Sequence, residues 1–478
     1  MTAKKSDECL IGQRILITIA VLVLVRVLYF LPLPGVNLSA VFNFYKQHIQ
    51  TQGGGLIDLM ALLHIGKLRN ISLSSLGIMP FINACIILQI ISFLIPGLNE
   101  KFFYEKNGRS KMMSATVIIA FILSVFYGYQ VSQDLELLNK FPGFNLLIFT
   151  GLIFQITTIL SLCSMALIFI MLTQVINKYG FGNGVGIIFS VEVIIRLIFA
   201  ADQLVVFWGR NIIGMEHLII FSGVTIAFIY FARKITRIVN RIDLCTENNE
   251  YFYISIRPVW MGIWPLIIAE IFFSYFEVSF NAVSFFMFLI TIVFFTLVYA
   301  KIIYQPRRFY ELILAHKCKM KEVKSKKIID YLNASITKTI ALSAILFIAI
   351  YYLPVILPLI LKISFMSAGI FGTFGLIILV GVYHDIKRQL KFFRKIRSLP
   401  LKQWSLLDIV SDETEAEIKK ACLRSRSIMN EIKPSHFSWG LPIRTIASGY
   451  YLYVPFEDKI KAVQVLEQTK TEWMSKSL

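Results

Sequence analysis

Residues 76–89 read Leu-Gly-Ile-Met-Pro-Phe-Ile-Asn-Ala-Cys-Ile-Ile-Leu-Gln, within an apolar stretch over residues 71–94 that contains no charged side chain. Gly77 and Pro80 interrupt its beginning, whereas the remainder is typical of an uninterrupted helix. A helix of roughly 20 apolar residues crosses a hydrocarbon layer about 30 Å thick. The stretch therefore predicts a membrane-spanning helix, with Ile78 and Ile82 four residues apart on one face.

Similar apolar stretches recur along the chain. Of its 478 residues, 56% are hydrophobic and only 16% are charged, and a typical soluble protein carries about 25% charged residues. Because the stretches are continuous rather than alternating, they predict helices, and they argue against a soluble enzyme built around one core. The sequence thus predicts an all-α polytopic membrane protein with ten spans, at residues 15–31, 71–94, 112–131, 146–176, 184–200, 218–231, 261–276, 283–303, 339–360 and 366–382.

Basic residues dominate the formal net charge of +19, and they concentrate in alternate loops. This distribution is typical of cytoplasmic loops beside an anionic lipid surface, and it argues against a nucleic-acid-binding domain. By the positive-inside rule, both termini are expected in the cytoplasm. The dense basic segments are residues 101–111, 233–257, 307–327 and 387–402.

Two segments differ from simple loops. Three glycines at residues 53–55 precede a mildly apolar stretch over residues 56–68, which is too short to span and predicts a re-entrant or outward-facing helix. Residues 404–478 have ordinary charge density and predict a small cytoplasmic α+β extension. Within it we expect a helix around 415–429, strands at 443–447 and 450–454, and a final helix from residue 456.

A few charged side chains fall inside the predicted spans. Because a carboxylate in hydrocarbon must be paired or hydrated, Glu270 is expected either to face a gate or to reach water near the outer end. Glu192 and Arg196 are one turn apart and can pair on one helix face. The six cysteines and the histidines show no ligand spacing, so no metal site, cofactor or disulfide framework is predicted. Nor does a phosphate-binding loop or a catalytic spacing appear, so the chain is not expected to be an enzyme.

The chain resembles the SecY family, the pore subunits of the Sec protein translocase, which includes the eukaryotic Sec61 channel. The resemblance covers about residues 12–395, and it rests on the order and spacing of short motifs. These are Arg14-Ile-Leu, Arg26, Pro32-Leu-Pro-Gly35, Gly55-Leu-Ile-Asp58-Leu, Leu76-Gly-Ile-Met-Pro80, Gly108-Arg109, Gly182-Asn183-Gly184, Gly262-Ile-Trp-Pro265, Asp330-Tyr-Leu, and Gly381 with Asp385.

The resemblance implies a channel for unfolded polypeptides, made of two inverted five-helix halves, with a seam that releases signal or transmembrane helices sideways into lipid. Phe189 departs from the family's aliphatic pattern, and Ile188 takes its place if the register slips by one residue. Carried over by motif position, the pore ring is Ile78, Ile82, Val185, Phe189, Ile267 and Ile378, and the lateral gate includes Asn83, Gln89 and Glu270. The plug spans about residues 54–68, with Gly54, Leu56, Ile57, Leu59 and Leu62, and a packed outer loop is the alternative for this segment.

The resemblance also implies partners. They are a small SecE-type clamp subunit, a SecG-type subunit as a further candidate, a SecA-type motor ATPase or the ribosome, secretory precursor polypeptides and the lipid bilayer. The loops at 233–257 and 304–327 lack the usual family sequences, so motor-docking residues do not carry over. Basic residues expected to contact an acidic partner, with charge beside lipid as the alternative, are Arg109, Arg307, Arg308, Lys319 and Lys321.

The expected organisation is an N-terminal half at 1–201, a C-terminal half at 202–398 and the extension at 399–478. The cell (cytoplasmic) membrane is the expected location, and a plastid membrane is the second choice. A secondary transporter of small solutes also has inverted halves, but it predicts polar residues at mid-membrane, where this chain is aliphatic. A membrane enzyme that uses the extension lacks any recognisable catalytic spacing. We instead expect the extension to bind a partner or substrate chain.

Overall fold

The structure is a computed structural model of the chain. It describes residues 2–37, 39–40, 72–95, 98, 102, 108–140, 146–209, 211, 214–235, 238–248, 250–256, 265–266, 268–269, 282–303, 306–316, 318–320, 328–360, 375–398, 404–410, 413–435 and 449–467. The chain divides into two compact units, one over Met1–Phe189 and the other over Ser190–Leu478.

Long helices dominate the first unit. Helix α1 ends at Leu28, three residues before the predicted limit of residue 31. Pro32 disfavours the helical conformation at Leu31 and so prevents the helix from continuing. Helix α3 extends beyond its predicted span of 112–131 at both ends. The helices are α1 (Thr2–Leu28), α2 (Met79–Leu94), α3 (Gly108–Asn139), α4 (Leu152–Tyr179) and α5 (Gly184–Gly209), which begins in this unit.

Helices α2, α3 and α4 pack in sequence order. A Cβ atom on Gly128 of α3 would lie 3.2 Å from the Cα atom of Ile159 in α4, so the glycine permits a close approach of the two backbones. Near the facing ends of α3 and α4, Leu33, Leu146 and Phe154 form part of a buried cluster. This cluster joins the segment after α1 to the connection between α3 and α4.

The second unit contains further apolar helices. Helix α7 packs on α9, and the Tyr352 hydroxyl donates a hydrogen bond of 2.8 Å to the Phe285 carbonyl between them. Helix α10 packs on α6, and α8 packs on α9. The helices are α6 (Met215–Ile235), α7 (Ala282–Ile303), α8 (Pro306–Ala315), α9 (Ile328–Ile360) and α10 (Gly375–Ser398).

Two of the loops predicted to be cytoplasmic pair as a sheet. Strands β1 (Asn240–Cys245) and β2 (Tyr251–Ile256) form an antiparallel hairpin, and β3 (Lys319–Met320) adds to β1, giving the order β2-β1-β3. Alternate residues such as Ile242, Leu244 and Ile254 are buried. The sequence analysis did not predict this structure, which we call the loop sheet, because its strands are short and lie in strongly basic segments.

A second sheet lies in the extension. Strands β4 (Trp404–Val410), β5 (Glu431–Ser435) and β6 (Gly449–Pro455) are antiparallel in the order β4-β6-β5. Helix α11 (Glu413–Ser425) covers this sheet, and a turn at Phe456–Asp458 leads into α12 at residues 459–467. The predicted strand at 450–454 lies within β6, whereas 443–447 is outside the described residues.

The sequence predicted that this helix would end near residue 429, but α11 ends at Ser425. Ser427 adopts a positive φ of 58°, and the Ile428 amide donates to the Leu423 carbonyl over 3.0 Å. The turn places Ile428 in the buried core of the extension with Leu423, Leu452 and Val454. Burial of this isoleucine therefore opposes continuation of the helix.

Helices able to cross a membrane occur in both units. Within the described ranges, three are long and apolar enough by length and composition, namely Ser110–Asn139, Leu152–Tyr179 and Ile328–Tyr352. Their surfaces carry exposed apolar side chains, for example Ile118 and Phe126 on α3. Such faces are typical of contact with lipid. Shorter apolar helices cover Met79–Ser92, Gly184–Ile195 and Phe285–Val298.

Candidate functional site

The segment that opens α2 is shaped by a glycine and a proline. Gly77 has a φ of +51°, a backbone conformation that favours glycine, and its amide donates to the Ser74 carbonyl over 2.9 Å. Pro80 occupies the first turn of the helix, where its missing N–H is not needed. The motif at residues 76–80 is therefore a turn that starts α2 at a defined residue.

The turn brings two predicted ring residues into buried positions. Ile78 is 1% exposed and Ile82 is 5% exposed, and the Ile82 amide donates to the Ile78 carbonyl over 3.2 Å. The two side chains are thus one helical turn apart and share a face at the beginning of α2. An apolar, rigidly held pair of this kind can form part of a constriction that excludes water.

The predicted gate residues on α2 are also inside the helix packing. The Asn83 amide donates a hydrogen bond of 2.9 Å to the Tyr127 hydroxyl on α3, which ties the two helices together. Gln89 is buried. The third predicted gate residue, Glu270, lies outside the described residues. The sequence analysis missed Tyr127, because a single tyrosine in an aromatic-rich span carries no local signal.

A tight turn between α4 and α5 holds the beginning of α5. Gly182 has a φ of +88°, and a Cβ atom on Gly184 would lie 2.4 Å from the Thr173 carbonyl oxygen. The Asn183 side-chain oxygen accepts from the Gly186 amide over 3.2 Å, which is the usual N-cap interaction. The motif at residues 182–184 thus combines a left-handed residue, a helix cap and a close backbone approach.

Helix α1 is bonded to the same turn. The Arg14 guanidinium donates to the Gly180 carbonyl over 3.1 Å, and the Thr18 hydroxyl accepts from the Phe181 amide over 2.8 Å. Arg14 was recognised only as part of a motif, and the role of Thr18 was missed. A hydroxyl inside an apolar helix was the one signal that could have suggested it.

Val185, Ile188 and Phe189 follow this turn on α5. Val185 is 1% exposed and Ile188 is completely buried, whereas Phe189 is partly exposed. Val185 and Ile188 are therefore buried beside the turn that begins α5, and the choice between Phe189 and Ile188 as a ring residue stays a prediction.

For several predicted site residues, either the whole residue or its side chain lies outside the part of the chain that the structure describes. Ile267 and the whole plug segment, with Gly54, Leu56, Ile57, Leu59 and Leu62, lie outside the described residues. The backbone of Ile378 belongs to α10, but its side chain is not described, and the same holds for Arg109 in α3 and for Arg307 and Arg308 in α8. Lys321 is outside as well, whereas Lys319 is exposed on β3.

Two ionisable side chains between α8 and β3 are not charged at neutral pH. Burial lowers the pKa of His316 to about 4, and the nearby Lys419 ammonium lowers it further, whereas Glu415 opposes the shift. Burial raises the pKa of the Cys318 thiol to about 12, and the neighbouring thiols of Cys422 and Cys245 add to the shift. Within the part of the chain that the structure describes, no group of three His, Cys, Asp or Glu side chains is placed to hold a metal ion.

Comparisons with known proteins identify the relatives of this chain. The family model SecY matches residues 72–387. A protein translocase subunit SecY from Thermotoga maritima is 25% identical over 405 residues, which are 79% of this chain and 92% of that protein. The Escherichia coli K12 protein translocase subunit SecY is 29% identical over 186 residues, which are 39% of this chain and 40% of that protein.

Solved structures share the fold. A structure on the plug domain of the SecY protein and the closed state of the translocation channel aligns with a TM-score of 0.56 at 15% identity. Sec61 in the canine ribosome-channel complex from the endoplasmic reticulum aligns with a TM-score of 0.52 at 14% identity. Each alignment covers 82% of this chain and 95% of the other chain. The chain therefore has the fold of these channels.

Proposed function

The chain belongs to the SecY family, and on this basis we propose that it is a protein-conducting channel, through which unfolded polypeptides cross a membrane and hydrophobic helices enter the lipid. The observation that carries the proposal is the family match over residues 72–387. A secondary transporter is not favoured, because the ring positions Ile78, Ile82 and Val185 are apolar and buried. No catalytic activity is proposed.

The proposed architecture has ten transmembrane helices in two inverted five-helix halves. The halves are residues 1–201 and 202–398, and residues 399–478 form a cytoplasmic α+β extension. Long apolar helices in both units and the strands and helices of residues 404–467 support this arrangement. We place the protein in the cell membrane, with both termini in the cytoplasm, because the basic segments lie in alternate loops.

The proposed constriction is a ring of apolar side chains from both halves. Its members are Ile78, Ile82, Val185, Phe189, Ile267 and Ile378. Apolar side chains keep water and ions out of a narrow pore, yet they make no specific bonds that would hold a sliding polypeptide. The buried face formed by Ile78 and Ile82 supports this role.

The proposed plug is the segment at about 54–68, and the proposed lateral gate includes Asn83, Gln89 and Glu270. A signal helix that enters the seam gains roughly 0.3–0.6 kcal/mol for each central leucine or isoleucine in lipid. That helix then stabilises the open state, because it binds the open state more tightly than the closed one. The hydrogen bond from Asn83 to Tyr127 fixes the gate-facing helix to its neighbour.

The proposed partners supply the energy and complete the complex. They are a SecE-type subunit, a SecG-type subunit, and a SecA-type motor or the ribosome at the basic cytoplasmic surface. The Sec61 relative seen in a ribosome-channel complex supports a ribosomal partner. Lys319 is exposed on the loop sheet, as a contact for an acidic partner requires.

The proposal is tested by disulfide trapping in membranes. Ile82→Cys and Val185→Cys are introduced separately into a protein without native cysteines, and a stalled secretory precursor carries one cysteine. We expect a disulfide to the precursor at both positions. The matched control is Ile290→Cys in α7, at a residue that is 65% exposed. This cysteine should remain unlinked.

The opposite result overturns the proposal. If neither ring position is linked to the precursor while export continues in cells that lack this protein, the chain is not a protein-conducting channel.

A further inference from the structure

The extension is attached to α10, which continues well past the predicted end of its span at residue 382. Its attachment includes a ring contact between Phe392 and Tyr453, with centroids 5.6 Å apart. An ion pair joins Arg388 to Glu413 over 3.9 Å, and a second ion pair joins Lys395 to Glu431. Phe392 is also buried. Apolar and ionic contacts therefore hold the extension against the cytoplasmic end of this helix.

A second attachment joins the extension to the loop sheet. The Asn248 side-chain amide, in the turn between β1 and β2, donates to the Ser425 carbonyl at the end of α11 over 2.6 Å. Helix α11 also packs on β2 and on α8. Burial raises the pKa of the Cys318 thiol in one loop, and Cys422 of α11 is near enough to raise it further. Burial likewise raises the pKa of Cys422, and Glu247 in the other loop also raises it.

The loop sheet is in turn bonded to α9. The Asn240 side-chain amide at the beginning of β1 donates to the Ser335 hydroxyl over 2.8 Å, and it lies 3.3 Å from the Thr339 hydroxyl. Thr339 is buried within α9. A continuous series of contacts therefore runs from α9 through the loop sheet and the extension to α10.

Helix α11 is the shared element of this series. Leu423 faces the core of the extension with Leu452 and Val454, and Ala416 packs with Val410 and Tyr450. Lys419 of the same helix forms ion pairs with Asp408 of β4 over 2.7 Å and with Glu415 over 2.9 Å. Because α11 also packs on β2, one helix belongs to the core of the extension and contacts the loop sheet.

We propose that the described strands and helices of the extension, at residues 404–410, 413–435 and 449–467, are a brace, which fixes the two cytoplasmic loops to the ends of α9 and α10 so that they move as one body. A partner that binds the loops then acts on these helices directly. The brace differs from a tethered appendage that captures partners, because its contacts are made within the chain. Only the idea that a partner binds the loops rests on the proposed function. The attachment itself does not, and the tests below measure it separately from transport.

The first test cuts the covalent connection. A protease site is inserted between positions 398 and 404 of the full-length protein, which is cleaved in membranes, and the membranes are then washed. We expect most of the 404–478 fragment to stay with the membrane protein after the wash. Release of most of the fragment, as expected for a tethered appendage, overturns the brace.

Charge reversal provides the matched comparison. Lys395→Glu on α10 removes the ion pair that joins this helix to Glu431 of the extension, so it should increase fragment release several-fold. The control Lys391→Glu makes the same charge change one turn away on the same helix, at an exposed residue with no ion pair among the described positions, and it should retain the fragment. Equal retention by both variants contradicts the proposed attachment.

The second test links the two contacting segments covalently. A protein without native cysteines carries Asn248→Cys and Ser425→Cys, at two accessible positions that are hydrogen-bonded over 2.6 Å, and it is treated with a short thiol-to-thiol crosslinker. Mass spectrometry should identify a link between these two cysteines, and none between Asn248→Cys and an exposed Lys461→Cys used in place of Ser425→Cys. Absence of the link between positions 248 and 425 overturns the brace.

Translocation is then measured with the linked protein. If the docked extension is the working state, the linked protein should translocate a precursor within about twofold of the unlinked protein, a difference of roughly 0.4 kcal/mol. Loss of translocation on linking would show that the extension must detach, which also overturns the brace. Failure of translocation in both forms, with the link intact, would count against the proposed function and leave the brace supported.

Discussion

The helices of the first unit and the extension at residues 404–467 are stabilised differently. In the first unit, hydroxyl groups bond backbone carbonyls of their own helix, as Thr116 does with Met112 and Ser124 with Ala120. Close contact between helices depends on glycines such as Gly128. In the extension, ion pairs around Lys419 surround an ordinary hydrophobic core.

The surroundings explain this difference. Lipid is as apolar as leucine, so apolar side chains gain nothing by leaving it, and helices in a membrane associate through close packing and hydrogen bonds. In water, burial of apolar side chains is itself favourable, and charged groups remain hydrated on the surface. Close approaches between backbones therefore stabilise the helix packing of the first unit, whereas a filled hydrophobic core stabilises the extension.

The largest expected effect is at the turn before α5. In Gly184→Ala the new Cβ atom would lie 2.4 Å from the backbone oxygen of Thr173, which cannot move independently. We expect a loss of about 3–5 kcal/mol of stability, measured as thermal unfolding in detergent. Gly223→Ala in α6 is the matched control, because nothing lies within 4 Å of its Cβ position. Equal unfolding temperatures would show that the close approach does not limit packing.

The core of the extension should respond to lost volume. Leu423 is fully buried, so Leu423→Ala should cost about 2–4 kcal/mol through lost transfer energy and a cavity. Hydrogen exchange of the β6 amides is the measurement, and it should accelerate strongly. Leu406→Ala is the control, since Leu406 is 37% exposed and should cost much less. Similar exchange in the two variants would mean that the extension does not fold around this core.

Acid should weaken the loop sheet and its contact with α11. The folded-state pKa of His316 is about 4, below its ordinary value of 6.5, so the unfolded state takes up a proton first as the pH falls. The stabilisation is present above pH 6.5 and decreases down to about pH 4, with a loss of about 2 kcal/mol near pH 5.

Fragment retention after cleavage, followed against pH, measures this effect. His316→Gln cannot take up the proton and should give a flatter profile between pH 6.5 and 4. Lys419 and Glu415 also act on the imidazole and remain in both proteins. Profiles of equal slope would exclude His316 as the source of the acid sensitivity.

The smallest expected effect is at the hydrogen bond between α2 and α3. Tyr127→Phe removes the acceptor for the Asn83 amide, and such bonds within membranes contribute about 0.6 kcal/mol on average. A double-mutant cycle with Asn83→Ala, measured by thermal unfolding, isolates the pair. Additive effects would mean that the two side chains do not interact.

Much of the fold and part of the site could be predicted from local sequence. The apolar stretch at 71–94 predicted α2, and the turn residues Gly77 and Pro80 marked its beginning. The motif at 182–184 marked the turn before α5. Membership of the SecY family confirms the resemblance that these motifs suggested. The ring, plug and gate assignments stay predictions.

Other features could not be predicted, because they depend on partners distant in sequence. The loop sheet pairs residues 240–256 with 319–320, and nothing in either short basic segment indicates the other. The bond between Arg14 and Gly180 joins positions 166 residues apart. Strands β4 and β5 were likewise missed, since their register depends on β6 between them.

The sequence by itself determined that this chain is a membrane protein of many helices. The hydropathy of about 20 consecutive residues is a local property, and it decides whether a helix is stable in lipid. The sequence also determined where the main turns lie, since glycine and proline restrict their own backbone. Only the tertiary structure decided that the extension is attached to two loops and to α10. That attachment consists of contacts between distant residues, whose strength depends on geometry that no single segment contains.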